Sequence, residues 1–250
     1  MTIKLGIIGA TGRMGKQIIA CALCDPSFLL SYALVKEHSE LENVDIGSLL
    51  GKDPVGILCS SEKKLPLLDV LIDFSAESCL IENLEMALKK KIPLVIGTTG
   101  LSSTQKNAIK DAAQKIPIFF APNFSLGMAA TVYLTKNLSL FLTTFTPSIT
   151  EVHHIHKKDS PSGSALHLAE TISQKMLNPP PSIHSIREGE VIGKHSISFK
   201  GKYESLDIVH DVSSREAFAE GALAAAKFLI GKKPSLYNME DLLQFTIKNS

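Results

Sequence analysis

Residues 3–15 read IKLGIIGATGRMG. Ile3 to Ile8 is a short run rich in β-branched residues; Gly9, Ala10, Thr11, Gly12, Arg13, Met14 and Gly15 form a glycine turn; Ile18, Ile19, Ala22 and Leu23 then recur at helical spacing. Strand, glycine turn and helix make the arrangement that holds a dinucleotide. The glycines let the backbone approach a pyrophosphate, and the N–H groups at the helix start receive it. The spacing is GxxGxxG rather than GxGxxG, so its weight comes from context: the turn begins at residue 9, and a second strand, Phe28 to Val35, follows at the right distance. The competing reading is a tight turn whose glycines serve packing only.

Outward from this turn, strands and helices alternate. Val70 to Phe74, Pro93 to Ile96 and Ile118 to Ala121 read as strands, and Ser78 to Lys90 and Thr104 to Lys115 as helices. Short apolar runs between amphipathic helices predict a parallel sheet covered on both faces, and ligands of such sheets bind beyond the carboxyl ends of the strands. Those ends carry Gly97, Thr98 and Thr99 in one case and Ala121, Pro122, Asn123 and Phe124 in the other, small or hydrogen-bonding residues suited to a nicotinamide and its ribose. Lys36, just past the second strand, and Arg13 in the glycine turn could converge on a ribose phosphate, which favours NADPH at least as much as NADH.

After Asn123 the pattern changes. A long apolar helix, Leu126 to Leu142, precedes β-rich segments around Ser182 to Arg187, His195 to Lys200 and Tyr203 to Val212, with Pro179, Pro180 and Pro181 as a loop. Strands no longer separated one by one by helices indicate a mixed or antiparallel sheet. The irregular alternation of Leu206, Ile208 and Val209 suggests a strand buried on both faces, as at a subunit interface. Ala217 to Ile230 and Asp241 to Ile247 read as terminal helices. The expected fold is α/β: a Rossmann-like, doubly wound parallel sheet with a second α+β domain containing a mixed sheet. The expected division is a dinucleotide-binding domain at 1–125, a substrate-binding and oligomerisation domain at 126–215, and C-terminal helices at 216–250 that return to the first domain.

The chemistry concentrates in residues 151–165, EVHHIHKKDSPSGSA. Strand alternation would put Glu151, His153, Ile155 and Lys157 on one face and Val152, His154 and His156 on the other. His153 and Lys157 would then lie about 13 Å apart, at about 3.3 Å per residue, and could flank a small ring. Alternatively the strand ends near His156 and Lys157 turns back, which Asp159, Ser160 and Pro161 favour. Ser162, Gly163 and Ser164 open a helix carrying Ala165, Leu168, Ala169, Ile172 and Met176, and free N–H groups at such a start bind anions. An imidazole, an ammonium and an anion cradle suit acid–base chemistry beside a bound carboxylate. Two other readings compete with it. One is a zinc site on His154 and His156 with Asp159, His195 or His210, which Lys157 and Lys158 oppose by their charge; the other is a purely structural histidine cluster.

Composition narrows the partners. The chain has 250 residues, 44% hydrophobic, with 26 Lys plus Arg against 25 Asp plus Glu and a net charge of +1. No basic run points to nucleic acid, no apolar stretch of about eighteen residues points to a membrane, and Met1 to Gly9 leads into a strand rather than a signal peptide, so a small-molecule partner and a cytoplasmic location are expected. Cys21 and Cys24 form a CxxC within a helical pattern, and Cys59 and Cys79 stand alone, so the cysteines read as buried hydrophobes rather than metal ligands.

Taken together, GATGRMG at 9–15, IDFS at 72–75, VIGTTG at 95–100, APNFS at 121–125, EVHHIHKKDSPSGSA at 151–165 and SSREAFAEGAL at 213–223 resemble the dihydrodipicolinate reductases over nearly the whole chain. The histidine element is the specific part; the glycine turn is not. The resemblance implies NADH- or NADPH-dependent reduction of a cyclic dihydrodipicolinate-type dicarboxylate, formed from 4-hydroxy-tetrahydrodipicolinate, on the route to diaminopimelate and lysine. It implies His153 as proton donor or acceptor, Lys157 as second proton donor, His154 as a substrate contact, and Gly163 with Ser164 holding a substrate carboxylate. It implies cofactor contacts at Gly9 to Met14, Gly97 to Thr99 and Ala121 to Phe124, and a homotetramer assembled through the second domain's sheets. One departure concerns the cofactor: where many members carry an acidic residue at the end of the second strand, this chain has Val35, then Lys36 and Glu37. A non-catalytic NAD(P)-sensing module is the alternative function, and a metal hydrolase a further one; a sensor has no need of HHIHK beside SPSGSA.

Overall fold

A computed structural model describes residues 2–176 and 180–249, so Pro179 of the proline run lies outside the described residues. The chain divides into two compact units, Met1–Phe124 with Phe218–Ser250, and Ser125–Ala217.

The first unit opens with β1 (Ile3–Ile8), α1 (Arg13–Cys24), β2 (Phe28–Leu34), the single turn α2 (Ile46–Leu49) and β3 (Cys59–Ser60). It continues with β4 (Val70–Asp73), α3 (Leu80–Lys90), β5 (Leu94–Ile96), α4 (Ser103–Ala113) and β6 (Pro117–Phe120). Within the strands period-2 alternation still operates, although nearly every residue is apolar. Leu5, Ile7, Ile72 and Val95 face one core with Ile18, Ile19 and Ala22 of α1. Ile8, Leu71, Leu94 and Ile96 face the other with Leu84 and Ala87 of α3 and Ile109 of α4. That division is why these strands read as continuous apolar runs: both faces are covered.

The second unit contains α5 (Leu126–Phe141), β7 (Thr146–His153), α6 (Gly163–Ser173), β8 (Ser182–Arg187), β9 (Gly193–Lys200) and β10 (Ser205–Val212). Its four-stranded sheet runs β10-β9-β7-β8. β7 and β8 pair parallel, the other pairs antiparallel, so the sheet is mixed. Ile149, Ile197 and Phe199 of the sheet pack against Met128 of α5 and Ala165, Leu168 and Ile172 of α6. Met176, which matches the spacing of α6, lies past its end but joins the same core.

The chain then returns to the first unit with α7 (Glu216–Leu229), β11 (Ser235–Tyr237) and α8 (Met239–Lys248). Ala222 and Ala226 of α7 and Leu242 of α8 join the core that contains Leu5 and Ile7. The completed seven-stranded sheet has the order β11-β6-β5-β4-β1-β2-β3 and is parallel throughout. The order reverses beside β1, between β2 and β4, which places a ligand crevice at the carboxyl ends of those strands.

Two sequence expectations are corrected. First, β7 ends at His153, so the alternation does not reach Lys157, and of the two readings the one that turns Lys157 back holds. His154 N–H donates to the Val191 carbonyl at 2.6 Å and Lys157 N–H to the His154 carbonyl at 3.1 Å, folding the chain into a turn that leaves Ile155 59% exposed. Second, Cys59 is buried as expected of a small hydrophobe, but Cys24 and Cys79 are exposed. Leu206 and Val209 of β10 are exposed in the single chain, so burial of that strand on both faces would need a partner subunit.

Candidate active site

In the first unit the register of the sheet assembles the loops. Leu34, Ile8, Asp73, Ile96 and Phe120 are successive cross-strand partners from β2 to β6. Five loops therefore leave the sheet at one level, spread over four strand spacings, or about 19 Å at about 4.8 Å each. They carry Val35–Lys36, Gly9–Met14, Phe74–Ser75, Gly97–Thr99 and Ala121–Phe124. Every cofactor residue expected from the sequence lies in this set.

The glycine turn has the form that a pyrophosphate requires. Gly9 has φ +80°, and a Cβ there would come within 2.8 Å of the Phe74 carbonyl oxygen. Gly15 is buried against the turn. Gly12, by contrast, is exposed; it caps α1 with no side-chain hydrogen bond, and a Cβ there would meet only the Gly9 carbonyl oxygen, at 3.2 Å. The first turn of α1 has no acidic residue, so its N–H groups face outward without an internal anion. These features fit a dinucleotide phosphate. Ala10, Thr98, Ala121 and Phe124 have their side chains buried, so a ligand would meet them chiefly through the backbone; Arg13, Lys36, Thr99 and Pro122 are exposed.

The loop after β4 was legible only as part of a family motif. Asp73 is buried and accepts Ser75 N–H at 2.8 Å and Asn83 Nδ2 at 2.8 Å, while Thr98 Oγ1 donates to the Ser75 carbonyl at 3.3 Å. Burial pushes the Asp73 carboxyl up, and the surrounding hydrogen bonds oppose it. This network ties the loops after β4 and β5 together. The Phe74 ring, 5.2 Å from that of Phe124, lies where any side chain at Gly97 would have to be.

In the second unit the focus is Glu151, which is completely buried. One of its carboxylate oxygens bonds His153 Nδ1. The other accepts Arg187 Nη1 at 3.0 Å and Ser162 N–H at 3.3 Å. Burial pushes the Glu151 carboxyl up, but Ser185, Arg187 and His153 outweigh it, and the group stays below the usual carboxylate range. Burial pushes His153 down; Glu151 opposes the shift, and the charges of Lys157 and Arg187 add to it. A carboxylate beside a neutral imidazole fixes its proton on Nδ1 and leaves a lone pair on Nε2, the atom able to take up a second proton. A Cβ at Gly193 would lie 3.1 Å from that Nε2, so the glycine makes room for the ring.

His195, on β9, lies in the same layer, its ring centroid 5.2 Å from that of His153 and its Nε2 3.3 Å from Ser162 Oγ. Burial, with His153 and His210 beside it, pushes it down to about 4. Lys157 and the start of α6 meet at Asp159. The Lys157 ammonium is 2.8 Å from Asp159 Oδ1. Burial pushes the Asp159 carboxyl up, and Lys157 together with the Gly163 backbone more than reverses this. Ser162 caps α6, Gly163 is exposed with open space at its Cβ position, and Ser164 is half-buried.

The histidines weighed for zinc are not the ones the fold gathers. His154 and His156 have ring centroids 6.2 Å apart, and His156 is exposed beside Glu190. Among the described residues the metal-spaced group is Glu151, His153 and His195, whose ligand atoms lie within 4.8 Å of one another. Its carboxylate is already engaged by a guanidinium, which opposes a dication. Sequence reading missed Arg187 and the part Glu151 plays; the available signal was a lone Arg closing a predicted strand.

The chain is similar to known proteins over nearly its whole length. The dihydrodipicolinate reductase N-terminus family matches residues 3–124, and the dihydrodipicolinate reductase C-terminus family residues 127–243. A 4-hydroxy-tetrahydrodipicolinate reductase of Xylella fastidiosa is 37% identical over 96% of this chain and 98% of its own. One of Caldanaerobacter subterraneus is 36% identical over 98% and 99%. A dipicolinate-bound dihydrodipicolinate reductase from Paenisporosarcina superposes with a TM-score of 0.76 at 25% identity, covering 96% of this chain and 99% of its own. An aspartate dehydrogenase from Thermotoga maritima, with a TM-score of 0.54 at 12% identity over 93% of this chain and 99% of its own, shares the fold. The chain belongs to the dihydrodipicolinate reductase family.

Proposed function

We propose, from that membership, that His153 and Lys157 handle the protons, and Gly163 with Ser164 a substrate carboxylate, in the reaction of this NAD(P)H-dependent oxidoreductase. The reaction reduces a cyclic dihydrodipicolinate-type dicarboxylate, formed from 4-hydroxy-tetrahydrodipicolinate, to tetrahydrodipicolinate in diaminopimelate and lysine biosynthesis. The observation that carries the reading is Asp159: a carboxylate held at once by the Lys157 ammonium and the α6 start marks where a substrate carboxylate would bind.

A bound NAD(P)H would supply hydride; Gly12 to Met14 at the α1 start would hold its phosphates, and the exposed Arg13 and Lys36 would offer cations to a ribose phosphate. Hydride addition to a conjugated imine leaves negative charge that a proton must quench elsewhere on the ring. Lys157 offers an ammonium for that purpose. His153 moves a proton at Nε2 while Glu151 holds Nδ1, and His154 contacts the substrate. Burial keeps water from competing for His153 and keeps its imidazole largely neutral at pH 7, so that Nε2 can accept a proton and then return it.

Among the described residues no helix is long and apolar enough to cross a membrane. A cytoplasmic location and a homotetramer complete the reading; the exposed Tyr203, Leu206 and Val209 around β10 support assembly through the second unit's sheet. The test is a coupled assay in which the preceding synthase generates the unstable substrate and reduced-cofactor absorbance is followed. Turnover that survives both His153→Ala and Lys157→Ala would overturn the assigned roles.

A further inference from the structure

Neither His153 nor Lys157 is rigid by its own covalent geometry. One stands at the last residue of a strand, and the other lies beyond a turn. What joins them is Arg187, the last residue of β8 and the register partner of His153. Its Nη1 donates to Glu151 at 3.0 Å, and Glu151 bonds His153 Nδ1. Its Nη2 donates to the Asp159 carbonyl at 2.6 Å, and the Asp159 carboxylate holds the Lys157 ammonium at 2.8 Å. The path from one proton-handling group to the other is continuous: His153, Glu151, Arg187, Asp159, Lys157.

We infer that Arg187 is a positioning residue for both groups, orienting His153 through Glu151 and Lys157 through the Asp159 turn. Only a guanidinium suits the task. Its planar fork sends donors in two fixed directions, whereas an ammonium is a point charge that would serve one acceptor at the expense of the other. The inference rests on the roles proposed for His153 and Lys157. It adds that their relative placement is held from β8, at a residue with no part in moving a proton.

Arg187 also governs charge. The titratable and charged groups facing His153 are Glu151 on its own strand, Lys157 beyond the turn, Arg187 on β8 and His195 on β9. With the guanidinium present, the buried carboxylate is compensated without a proton on His153. Without it, the compensation falls to the imidazole, which would then charge at higher pH.

The test uses Arg187→Lys and Arg187→Met in the coupled assay, with nitrogen NMR of the His153 ring. Arg187→Lys keeps a cation against the buried carboxylate, so the fold survives while the fork is lost. We expect kcat to fall roughly a hundredfold, the cost of a misplacement near 1 Å, with the KM for reduced cofactor unchanged. In Arg187→Met the His153 titration should move to higher pH. An unchanged kcat in folded Arg187→Lys, or an unmoved His153 titration in folded Arg187→Met, overturns the inference. Should both variants fail to fold, the wild-type ring decides: a proton on Nδ1 is required, and one on Nε2 overturns it. If His153→Ala and Lys157→Ala abolish turnover while Arg187→Lys does not, only this inference falls. If those two variants are fully active, the underlying reading falls first.

Discussion

Gly15 sits so close to Gly9 that a Cβ at residue 15 would come within 2.1 Å of the Gly9 carbonyl oxygen. The start of α1 is thus pressed against the end of β1, and three glycines of one turn have three different duties: Gly9 the left-handed backbone, Gly15 the close approach, and Gly12 the exposed face.

Gly12→Asp should fold and lose cofactor binding, because its side chain has space but brings a negative charge to the phosphate position. Gly15→Val should instead lose the fold of the first unit. Titration calorimetry with NADPH, beside circular dichroism of both variants, tests the contrast. Unchanged affinity in Gly12→Asp would mean that the turn serves packing alone.

Lys157→Ala and His153→Ala should each lower kcat by about two to four orders of magnitude, the span of positioned acid–base catalysis. Ser164→Ala should act mainly on KM, since a carboxylate contact kept from ground state to transition state contributes uniform binding. Steady-state kinetics in the coupled assay separates the two. A Lys157→Ala enzyme with wild-type kcat would remove that residue from the chemistry.

NADPH should be used at least as well as NADH. β2 ends at Leu34, so the next residue is the buried Val35, which can neither bond a ribose hydroxyl nor repel a phosphate. Glu37 lies farther on and is paired with Lys63 at 3.2 Å, while Lys36 and Arg13 are exposed. A hydrogen bond to a charged group contributes about 1.5–3 kcal/mol, so Lys36→Ala should lower kcat/KM for NADPH more than for NADH. A marked wild-type preference for NADH, reversed by Glu37→Ala, would show that Glu37 binds the ribose after all.

Stability should fall as the solution is acidified from pH 7 toward pH 4. The His195 imidazole is neutral in the folded chain down to about 4, whereas in the unfolded chain it charges near 6.5. In that window the unfolded state binds more protons, so stability rises with pH and is lost on acidification, by up to about 3 kcal/mol for this group. His153, also held below its ordinary value, acts in the same direction. Thermal melts across the window, repeated on His195→Gln, check this; an equally steep pH dependence in the variant would assign the effect elsewhere.

The parallel sheet and the grouping of titratable and anion-binding groups in residues 151–165 were readable from the sequence because both are local. A buried parallel strand announces itself as an apolar run, a glycine turn as spacing, and an imidazole, an ammonium and a helix start were already neighbours in the chain. Tertiary structure alone decided where β7 stops, because its last pairings are with Arg187 of β8 and Lys194 of β9 and do not follow from its own alternation. It alone supplied β3 and β11, whose two and three residues are too short to show a period and exist through their pairing with β2 and β6. It also brought Arg187 and His195 to Glu151 and Ser162 across 36 and 33 residues of chain. A hydrogen bond over such a separation leaves no periodic trace in sequence, because sheet register sets it, and register is settled only when the strands meet.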